Sequence, residues 1–377
     1  MSASHTGLIY RGPIYGGSGY ADVSVGVLMA LHDAGIPVQT IPMGDPEDHR
    51  KLLTHDTRAI LEEMNRNRLD LSRSIFYQSC PGGDLDIQMR GRVQVAHSMF
   101  ETDRLPLGWA ERFRAMDEIF IPASYFAEVL DRAGVTEPKR RIVARGLDTD
   151  LYRPGAEPMA IPQTRGFNFL SVFDWHHRKG PDLLLRAYLS EFRADEDVAL
   201  ILKVYQINNS SLDLEAEIAD FIECEMGLTL EGTPPIVLLN GFLPYSEMPR
   251  LYASADVFVL PTRGEGWGPF LEPMACGLPV IATRWSGMLD YLDDSNSFPI
   301  DLDGVEAVSP QNDVEIFAGH RWAAPSVDHL RRQMRAVFTD REETRCRGER
   351  GRQDVVNRYS WSVVGRRWAA EIARLLN

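Results

Sequence analysis

Short apolar runs alternate with helical patterns along almost the whole chain of 377 residues. The apolar runs predict strands at residues 7–10, 38–42, 74–78, 93–97, 118–122, 167–173, 198–205, 236–240, 257–261 and 279–283. Helical periodicity predicts helices at residues 20–33, 54–68, 124–133, 182–192, 212–226, 246–253 and 269–276. Near-continuous apolar strands that alternate with helices are typical of parallel sheets covered on both faces. Because the rhythm occurs twice, the sequence predicts an α/β protein with two Rossmann-like, doubly wound parallel-sheet domains.

Residues 152–163 interrupt the alternation with three prolines, one glycine and no periodicity. This break predicts an N-terminal domain at 1–153, a linker at 154–165 and a C-terminal domain at 166–358. Residues 359–377 form an amphipathic pattern that we expect to be a helix packing back on the N-terminal domain. Open α/β sheets bind ligands beyond the carboxyl ends of their strands, so we expect the site in a cleft between the two domains.

The formal net charge of −14 argues against nucleic-acid binding, which needs a basic face. The four cysteines are scattered without a CxxC pair, which favours a reducing, cytoplasmic compartment over a disulfide framework or a zinc site. No signal-peptide pattern and no membrane-spanning apolar run is evident. A basic cluster of Lys139, Arg140, Arg141 and Arg145 leaves peripheral contact with the inner membrane face open, although a plain surface patch is the simpler interpretation.

The segment after the predicted strand 257–261 is the most informative part of the chain. Two carboxylates, Glu265 and Glu272, flank a loop that contains Gly266, Trp267, Gly268 and Pro269. We expect Pro269 at the first position of a helix, whose free amides would face an anion such as a diphosphate. The two acids could accept hydrogen bonds from sugar hydroxyls. The alternative is a surface turn followed by a helix-capping glutamate.

Basic residues occur at two other predicted strand ends in the same half of the chain. Arg178 and Lys179 follow the strand 167–173 and precede a helix, a position from which they can clamp a phosphate. Lys203 lies late in the apolar strand 198–205, where it either extends toward solvent or meets an anion.

The N-terminal half has weaker signals. The first predicted strand is followed by a glycine turn made of Gly16, Gly17 and Gly19. It lacks the ending of a P-loop, and backbone approach to a ligand or a structural turn would both explain it. His97 ends another apolar strand, with Glu101 and Asp103 shortly after it, and such a histidine is either a catalyst or a structural hydrogen-bonder. No HExxH motif or nucleophile elbow occurs, so metal and hydrolytic chemistry have no support.

Taken together, residues 256–283, the Arg178-Lys179-Gly180 turn, residues 142–154 and the glycine turn at 16–19 resemble retaining glycosyltransferases of family 4, also called glycosyl transferases group 1. The resemblance implies a GT-B fold, with a nucleoside-diphosphate sugar bound by the C-terminal domain and the acceptor largely by the N-terminal one. It implies no metal or other cofactor. The acceptor would be a glycan, a glycolipid or a small molecule.

The resemblance also implies roles for individual residues. Glu272 would bind the donor ribose and Glu265 the transferred sugar, while Arg178 and Lys179 would grip the diphosphate. Gly268 and Pro269 would form the helix end whose free amides face it, with Gly266 and Trp267 in the same loop. The turn of Gly16, Gly17 and Gly19 would lie near donor and acceptor. His97 would lie near the donor sugar, and Glu101 and Asp103 on the acceptor side.

Two departures from the family pattern keep other functions open. Six residues separate Glu265 and Glu272 where the family has seven, and Phe173 stands where the family often has an arginine six positions before Lys179. Lys203 could compensate for that arginine. A catalytically impaired sugar-nucleotide-binding protein, or an epimerase or phosphorylase of the same fold, is therefore an alternative. A dinucleotide oxidoreductase fits poorly, because no acidic residue ends the second predicted strand.

Overall fold

The computed structural model describes residues 6–15, 19–44, 53–206, 212–309 and 315–377. The chain divides into two compact units, one made of Met1–Asp148 with Asn357–Asn377 and the other of Thr149–Val356. The division thus falls after Asp148, whereas the proline-rich break in the sequence suggests Arg153.

The first unit contains a six-stranded, wholly parallel sheet in the order β2-β1-β3-β4-β5-β6. Its strands are β1 (Leu8–Pro13), β2 (Val38–Met43), β3 (Ile75–Ser79), β4 (Val93–His97), β5 (Glu118–Ile121) and β6 (Lys139–Ile142). Its first helices are α1 (Gly19–Asp33), α2 (His55–Arg66), α3 (Trp109–Arg114) and α4 (Ser124–Arg132). The apolar pattern predicts the first five strands, and the structure confirms them.

Local chemistry explains several of these elements. All five residues of β3 are buried, as expected for a central strand covered on both faces. The side chain of Thr54 caps α2 by accepting a hydrogen bond from the Thr57 amide at 3.2 Å. The edge strand β6 has the sequence Lys-Arg-Arg-Ile, which carries no apolar run, so the pattern misses it.

The second unit contains another six-stranded parallel sheet, in the order β12-β11-β10-β7-β8-β9, and an antiparallel hairpin of β13 and β14. Its strands are β7 (Phe167–Asp174), β8 (Val198–Tyr205), β9 (Ile236–Asn240), β10 (Val257–Leu260), β11 (Val280–Thr283), β12 (Phe298–Ile300), β13 (Leu302–Ala307) and β14 (Arg321–Pro325). Its helices are α5 (Pro181–Glu191), α6 (Leu214–Asp220), α7 (Met248–Tyr252), α8 (Leu271–Ala275), α9 (Val327–Thr339) and α10 (Arg341–Tyr359). The five strands predicted for this half are confirmed, whereas β12, β13 and β14 are additional.

The strand order of the second sheet positions its loops. Counted from β7, the order is that of the dinucleotide-binding Rossmann sheet. The winding of the chain reverses between β7 and β10, which pair in parallel. The loops that leave the carboxyl ends of these two strands therefore diverge and leave a crevice, where open α/β sheets bind their ligands.

The last helix, α11 (Trp361–Leu376), packs on the first unit. Trp368 and Ile372 are fully buried there among side chains of the first sheet. The ring of Trp361 lies against two glycines. A Cβ atom added to Gly26 would lie 1.9 Å from the ring, and one added to Gly146 would lie 2.5 Å from it. Because any larger residue would collide with the indole, these glycines permit the helix to approach closely.

Candidate functional site

Two loops meet at the switch point of the second sheet. The first follows β7 and contains Arg178 and Lys179; the second follows β10 and contains Glu265. Gly180 has φ of +74°, and a Cβ atom on it would lie 2.3 Å from the backbone oxygen of Pro261. Only a residue without a side chain allows this approach, which brings the two loops into direct contact.

A compact ion cluster joins the loops. Lys179 Nζ donates to the Glu265 carboxylate at 2.5 Å, and Arg178 Nη1 lies 3.3 Å from the other carboxylate oxygen. Thr262 Oγ1 donates to Glu265 at 3.0 Å. The three charged side chains are only 7–12% exposed. The sequence predicts that Arg178 and Lys179 bind a diphosphate. In the structure both cations contact the Glu265 carboxylate, and all three side chains are shielded from water.

The charge state of Glu265 follows from this environment. Burial raises the pKa of Glu265, but the positive charges of Lys179 and Arg178 and the hydrogen bonds from Lys179 and Thr262 outweigh it and bring the pKa to about 2. Glu265 is therefore an anion at neutral pH, and it can act as a hydrogen-bond acceptor but not as an acid.

The loop after β11 fixes the backbone of Glu265. Ser286 Oγ accepts from the Glu265 amide at 3.0 Å and donates to the Glu265 carbonyl oxygen at 2.9 Å. The Gly287 amide donates to the same carbonyl oxygen at 3.1 Å. Ser286 has φ of +61°, an uncommon conformation for a residue with a side chain. Sequence reasoning misses Ser286 and Thr262, because nothing in their local pattern distinguishes them from ordinary loop residues.

Sequence reasoning also misses Arg263, which is buried beside the ion cluster. Its guanidinium donates to both carboxylate oxygens of Asp182 at 2.9 and 2.8 Å, to Glu306 at 2.7 Å and to the His177 carbonyl oxygen at 2.8 Å. Burial raises the pKa of Asp182, but the hydrogen bonds and positive charge of Arg263 outweigh it, so the net pKa is lowered. Arg263 lies between Thr262 and Gly264 in a loop that carries another charged residue, so its local sequence does not single it out.

The loop from Glu265 to Glu272, called the acidic loop below, differs from the prediction in where its helix begins. The helix begins at Leu271 rather than at Pro269, and Gly268 lies in the loop with φ of +90°. The prediction that Pro269 is the first helical residue is therefore wrong, because Gly268 and Pro269 both precede the helix and its Phe270 cap. Glu272 is in the first turn of α8, as the spacing predicts.

Two other loop residues have structural contacts. The ring of Trp267 is buried and lies 4.6 Å from the ring of Tyr291, whose hydroxyl donates to the Trp267 carbonyl oxygen. The carbonyl oxygen of Gly266 lies 2.1 Å from where a Cβ atom on Gly287 would be. These contacts hold the glycine-rich loop against the neighbouring segment 286–291.

Lys203 is at the carboxyl end of β8, but its ammonium group is turned to the backbone. Its Nζ donates to the Gly241 carbonyl oxygen and lies 3.5 Å from that of Val204. Burial lowers the pKa of Lys203 to about 8. Its hydrogen-bond partners are carbonyl oxygens, whereas the sequence predicts either an extension toward solvent or an anionic ligand.

His97 belongs to the first unit and ends β4. The side chain is 1% exposed, with Nδ1 3.1 Å from Ser79 Oγ and the ring edge-on to Trp368 at 5.2 Å. Burial lowers the pKa of His97 to about 4, so the imidazole is neutral at physiological pH. Its surroundings are those of a core histidine with a hydrogen-bond partner.

The other predicted residues of the first unit are spread over its loops. Gly19 begins α1, while Gly16 and Gly17 lie outside the described residues. Asp103 pairs with its neighbour Arg104 at 3.0 Å, and Glu101 is partly buried two residues earlier.

The basic cluster near β6 is matched by acids. Carboxylates lie within 4 Å of its arginines: Arg140 with Asp131 at 2.7 Å, Arg141 with Glu118 at 3.4 Å and Arg145 with Asp22 at 3.7 Å. Across the part of the chain that the structure describes, no helix is long and apolar enough to cross a bilayer. Within the same residues, no group of three or more His, Cys, Asp or Glu side chains could hold a metal ion.

Comparison with known proteins adds an independent line of support. The family model described as Glycosyl transferases group 1 matches residues 165–320. D-inositol 3-phosphate glycosyltransferase 1 of Catenulispora acidiphila is 30% identical over 161 residues, which cover 41% of this chain and 38% of the relative. D-inositol 3-phosphate glycosyltransferase of Pseudarthrobacter chlorophenolicus is 29% identical over 289 residues, 68% of this chain and 66% of the relative. The chain thus spans less than half the length of the first relative.

The fold is shared with a solved structure. Anabaena HepE, crystallised with UDP-glucose, superposes with a TM-score of 0.68 at 13% identity, covering 97% of this chain and 99% of HepE. At this identity the likeness concerns the fold, which is the two-unit α/β fold that the sequence predicts. The family match lies on the unit that carries the ion cluster. Residues 165–320 of that unit thus match the glycosyl transferases group 1 family, and the chain has the GT-B fold.

Proposed function

We propose that the protein is a retaining glycosyltransferase that moves a sugar from a nucleoside-diphosphate sugar to an acceptor hydroxyl. We assign the donor to the C-terminal unit and the acceptor, a glycan, glycolipid or small molecule, to the N-terminal unit. The observation that carries this proposal is the shielded pair of Arg178 and Lys179 at the switch point of a Rossmann-ordered sheet.

The charges of the site suit the departure of a diphosphate. The bond between the anomeric carbon and the phosphate oxygen breaks, and negative charge develops on the leaving group. Arg178 and Lys179 would stabilise that charge; removing one preorganised group of this kind typically costs about 3–4 kcal/mol of transition-state stabilisation. Their low exposure keeps water from weakening the interaction.

The carboxylates suit the sugar and the ribose. Glu265 is ionised, and its free lone pairs can accept hydrogen bonds from sugar hydroxyls. Glu272 would accept from the ribose. The acceptor oxygen then bonds to the anomeric carbon on the face that the phosphate leaves, and the departing phosphate takes the acceptor proton. This route retains the configuration and needs no carboxylate nucleophile.

The comparisons suggest which donor to test first. HepE was crystallised with UDP-glucose, and two relatives are named for D-inositol 3-phosphate. UDP sugars are therefore the first donors to try, and inositol phosphate belongs in the first acceptor panel. Calorimetric titration with UDP, GDP and ADP should identify the base, because each nucleoside diphosphate binds without the complication of turnover.

Two variants test the assignment of the site. Lys179→Ala should lower turnover by about 10²–10³-fold while leaving nucleotide binding comparatively strong, because the charge it opposes is greatest in the transition state. Glu272→Ala should weaken nucleotide binding, because the ribose contact exists in the ground state. Release of UDP from a UDP sugar, measured with and without acceptor, provides the rates.

Matched controls separate the site from general effects. Lys139 is an exposed lysine of the other unit, and Glu215 is an exposed glutamate in the first turn of α6, as Glu272 is in α8. Lys139→Ala and Glu215→Ala should behave as wild type. If Lys179→Ala and Glu272→Ala also do so, the site is wrongly assigned. If UDP binds tightly but no donor is turned over, the alternative of a sugar-nucleotide-binding protein is correct.

A further inference from the structure

We infer that Arg263 is a positioning residue for the donor site, an inference that rests on the proposed function. Arg263 is two residues before Glu265 on the loop after β10, and its side chain is 5% exposed. It does not contact Glu265 in the cluster described above. Its guanidinium instead reaches three separate segments of the chain, and these segments support the two loops that carry the charged groups.

The first contacts join the two loops to each other. The Arg263 amide donates to the Arg178 carbonyl oxygen at 2.7 Å, and the side chain donates to the His177 carbonyl oxygen at 2.8 Å. Both acceptors belong to the turn that presents Arg178 and Lys179. Arg263 thus sets the position of the basic turn relative to the loop of Glu265.

The second contact connects this junction to α5. The two terminal nitrogens of Arg263 bind both oxygens of Asp182, at 2.9 and 2.8 Å, in a bidentate pair. Asp182 is in the first turn of α5, directly after Lys179, Gly180 and Pro181. A planar fork of this kind fixes direction as well as distance, which a lysine ammonium cannot do.

The third contact brings in the hairpin of β13 and β14. Arg263 Nε donates to Glu306 at 2.7 Å, and Trp322 Nε1 donates to the same carboxylate oxygen at 3.0 Å. The Ala323 amide donates to the Arg263 carbonyl oxygen at 2.9 Å. The hairpin therefore supports the acidic loop through both the side chain and the backbone of Arg263.

These contacts give Arg263 a role that differs from charge provision. Each of its three guanidinium nitrogens donates to Asp182, Glu306 or the His177 carbonyl oxygen, so its charge is not offered to a ligand. Its geometry determines where Lys179 and Glu265 lie, and displacements of about 1 Å in such groups can lower turnover about 100-fold. The expected signature is a loss of turnover without a matching loss of nucleotide affinity.

Arg263→Lys keeps the positive charge and removes the planar guanidinium that binds both oxygens of Asp182. We expect its kcat to fall about 10- to 100-fold, while the Kd for UDP, measured by calorimetry, changes by less than about threefold. Hydrogen exchange should become faster at the amides of residues 263–265, whose acceptors lie on the two loops and on Ser286. A purely structural residue would lower the thermal midpoint without separating kcat from Kd.

Arg335 provides the matched control. It also binds two carboxylates and a backbone carbonyl, those of Glu191 and Glu196, but at the opposite end of α5. Arg335→Lys should leave kcat, Kd and exchange at 263–265 within about twofold of wild type. Equal loss of kcat in Arg335→Lys and Arg263→Lys, or wild-type kcat in the latter, would overturn the inference.

A further variant and the exchange measurement cover the remaining outcomes. Should Arg263→Lys not fold, Glu306→Gln retains the pair with Asp182 and should show a smaller change in the same direction. If the wild-type protein turns over no donor, the proposed function fails, and hydrogen exchange alone then tests the role of Arg263. Unchanged exchange rates at the amides of residues 263–265 in the folded variants would refute that role, and faster exchange would support it.

Discussion

Replacing Glu265 by glutamine removes the negative charge between two buried cations and keeps the shape of the side chain. In the wild type, Lys179 and Arg178 lie 2.5 and 3.3 Å from the carboxylate, and all three side chains are shielded from water. Glutamine can still accept a hydrogen bond from Thr262. The two cations, however, lose their counter-charge and repel each other, so the variant should be less stable than the wild type.

The magnitude follows from the ionisation of Glu265. Its pKa falls from 4.5 to about 2 on folding, because the two cations and the hydrogen bonds outweigh the effect of burial. At 1.36 kcal/mol per pKa unit, this shift corresponds to about 3 kcal/mol of stability at neutral pH. Loss of one partner from a buried pair typically costs about 3–5 kcal/mol, which agrees.

The pH dependence gives the sharper test. A lowered pKa contributes stability that is fully present above the unfolded value of 4.5 and is lost as the pH falls toward about 2. The difference in unfolding free energy between wild type and Glu265→Gln should therefore be constant from neutral pH down to about 5 and shrink below it. Urea unfolding followed by tryptophan fluorescence, with the two units fitted separately, measures it.

A surface pair provides the control. Glu343 binds Arg347 at 2.7 Å at a much more exposed site on α10, so Glu343→Gln should cost much less, as exposed ion pairs do. A loss below about 1 kcal/mol in Glu265→Gln, the range of surface pairs, would refute the reasoning. The reasoning would also be refuted if the difference in unfolding free energy between wild type and Glu265→Gln stayed the same from neutral pH to pH 3.5. That lower limit is roughly one unit below the unfolded pKa of 4.5, where the linkage relation requires the difference to have shrunk.

Three further predictions concern other parts of the structure. Gly180→Ala should strain the left-handed backbone by about 1–2 kcal/mol and push the loop from Pro261, so UDP binding measured by calorimetry should weaken. Trp368→Ala should destabilise the first unit by about 3–5 kcal/mol in urea unfolding, because its indole is fully buried. Burial lowers the pKa of His97 from 6.5 to about 4, so the unfolded state binds a proton at a higher pH than the folded state does. The first unit should therefore lose stability as the pH falls from 6.5 toward 4, and His97→Gln should flatten this dependence in urea unfolding.

The local pattern of the sequence is sufficient for much of the fold. Each of the predicted strands is a short apolar run, and burial on both faces of a parallel sheet requires that composition. The pattern misses β6, whose residues are largely polar, and also β12, β13 and β14, which are very short or mix polar and apolar residues. Edge strands such as β6 form because a neighbouring strand offers hydrogen bonds. Strand order is likewise absent from the pattern, since it depends on which distant runs pair.

The candidate site divides in the same way. The sequence by itself points to Glu265, Arg178 and Lys179 as candidates, because charges beside glycines at strand ends are local features. Only the tertiary structure joins them, across 86 positions of the chain between Lys179 and Glu265. It also decides that Arg263 binds Asp182 and that Lys203 faces carbonyl oxygens. Residue type and spacing determine which groups can carry charge, whereas the packing of distant segments determines which charges meet, because electrostatic and hydrogen-bonding partners are chosen by proximity in space.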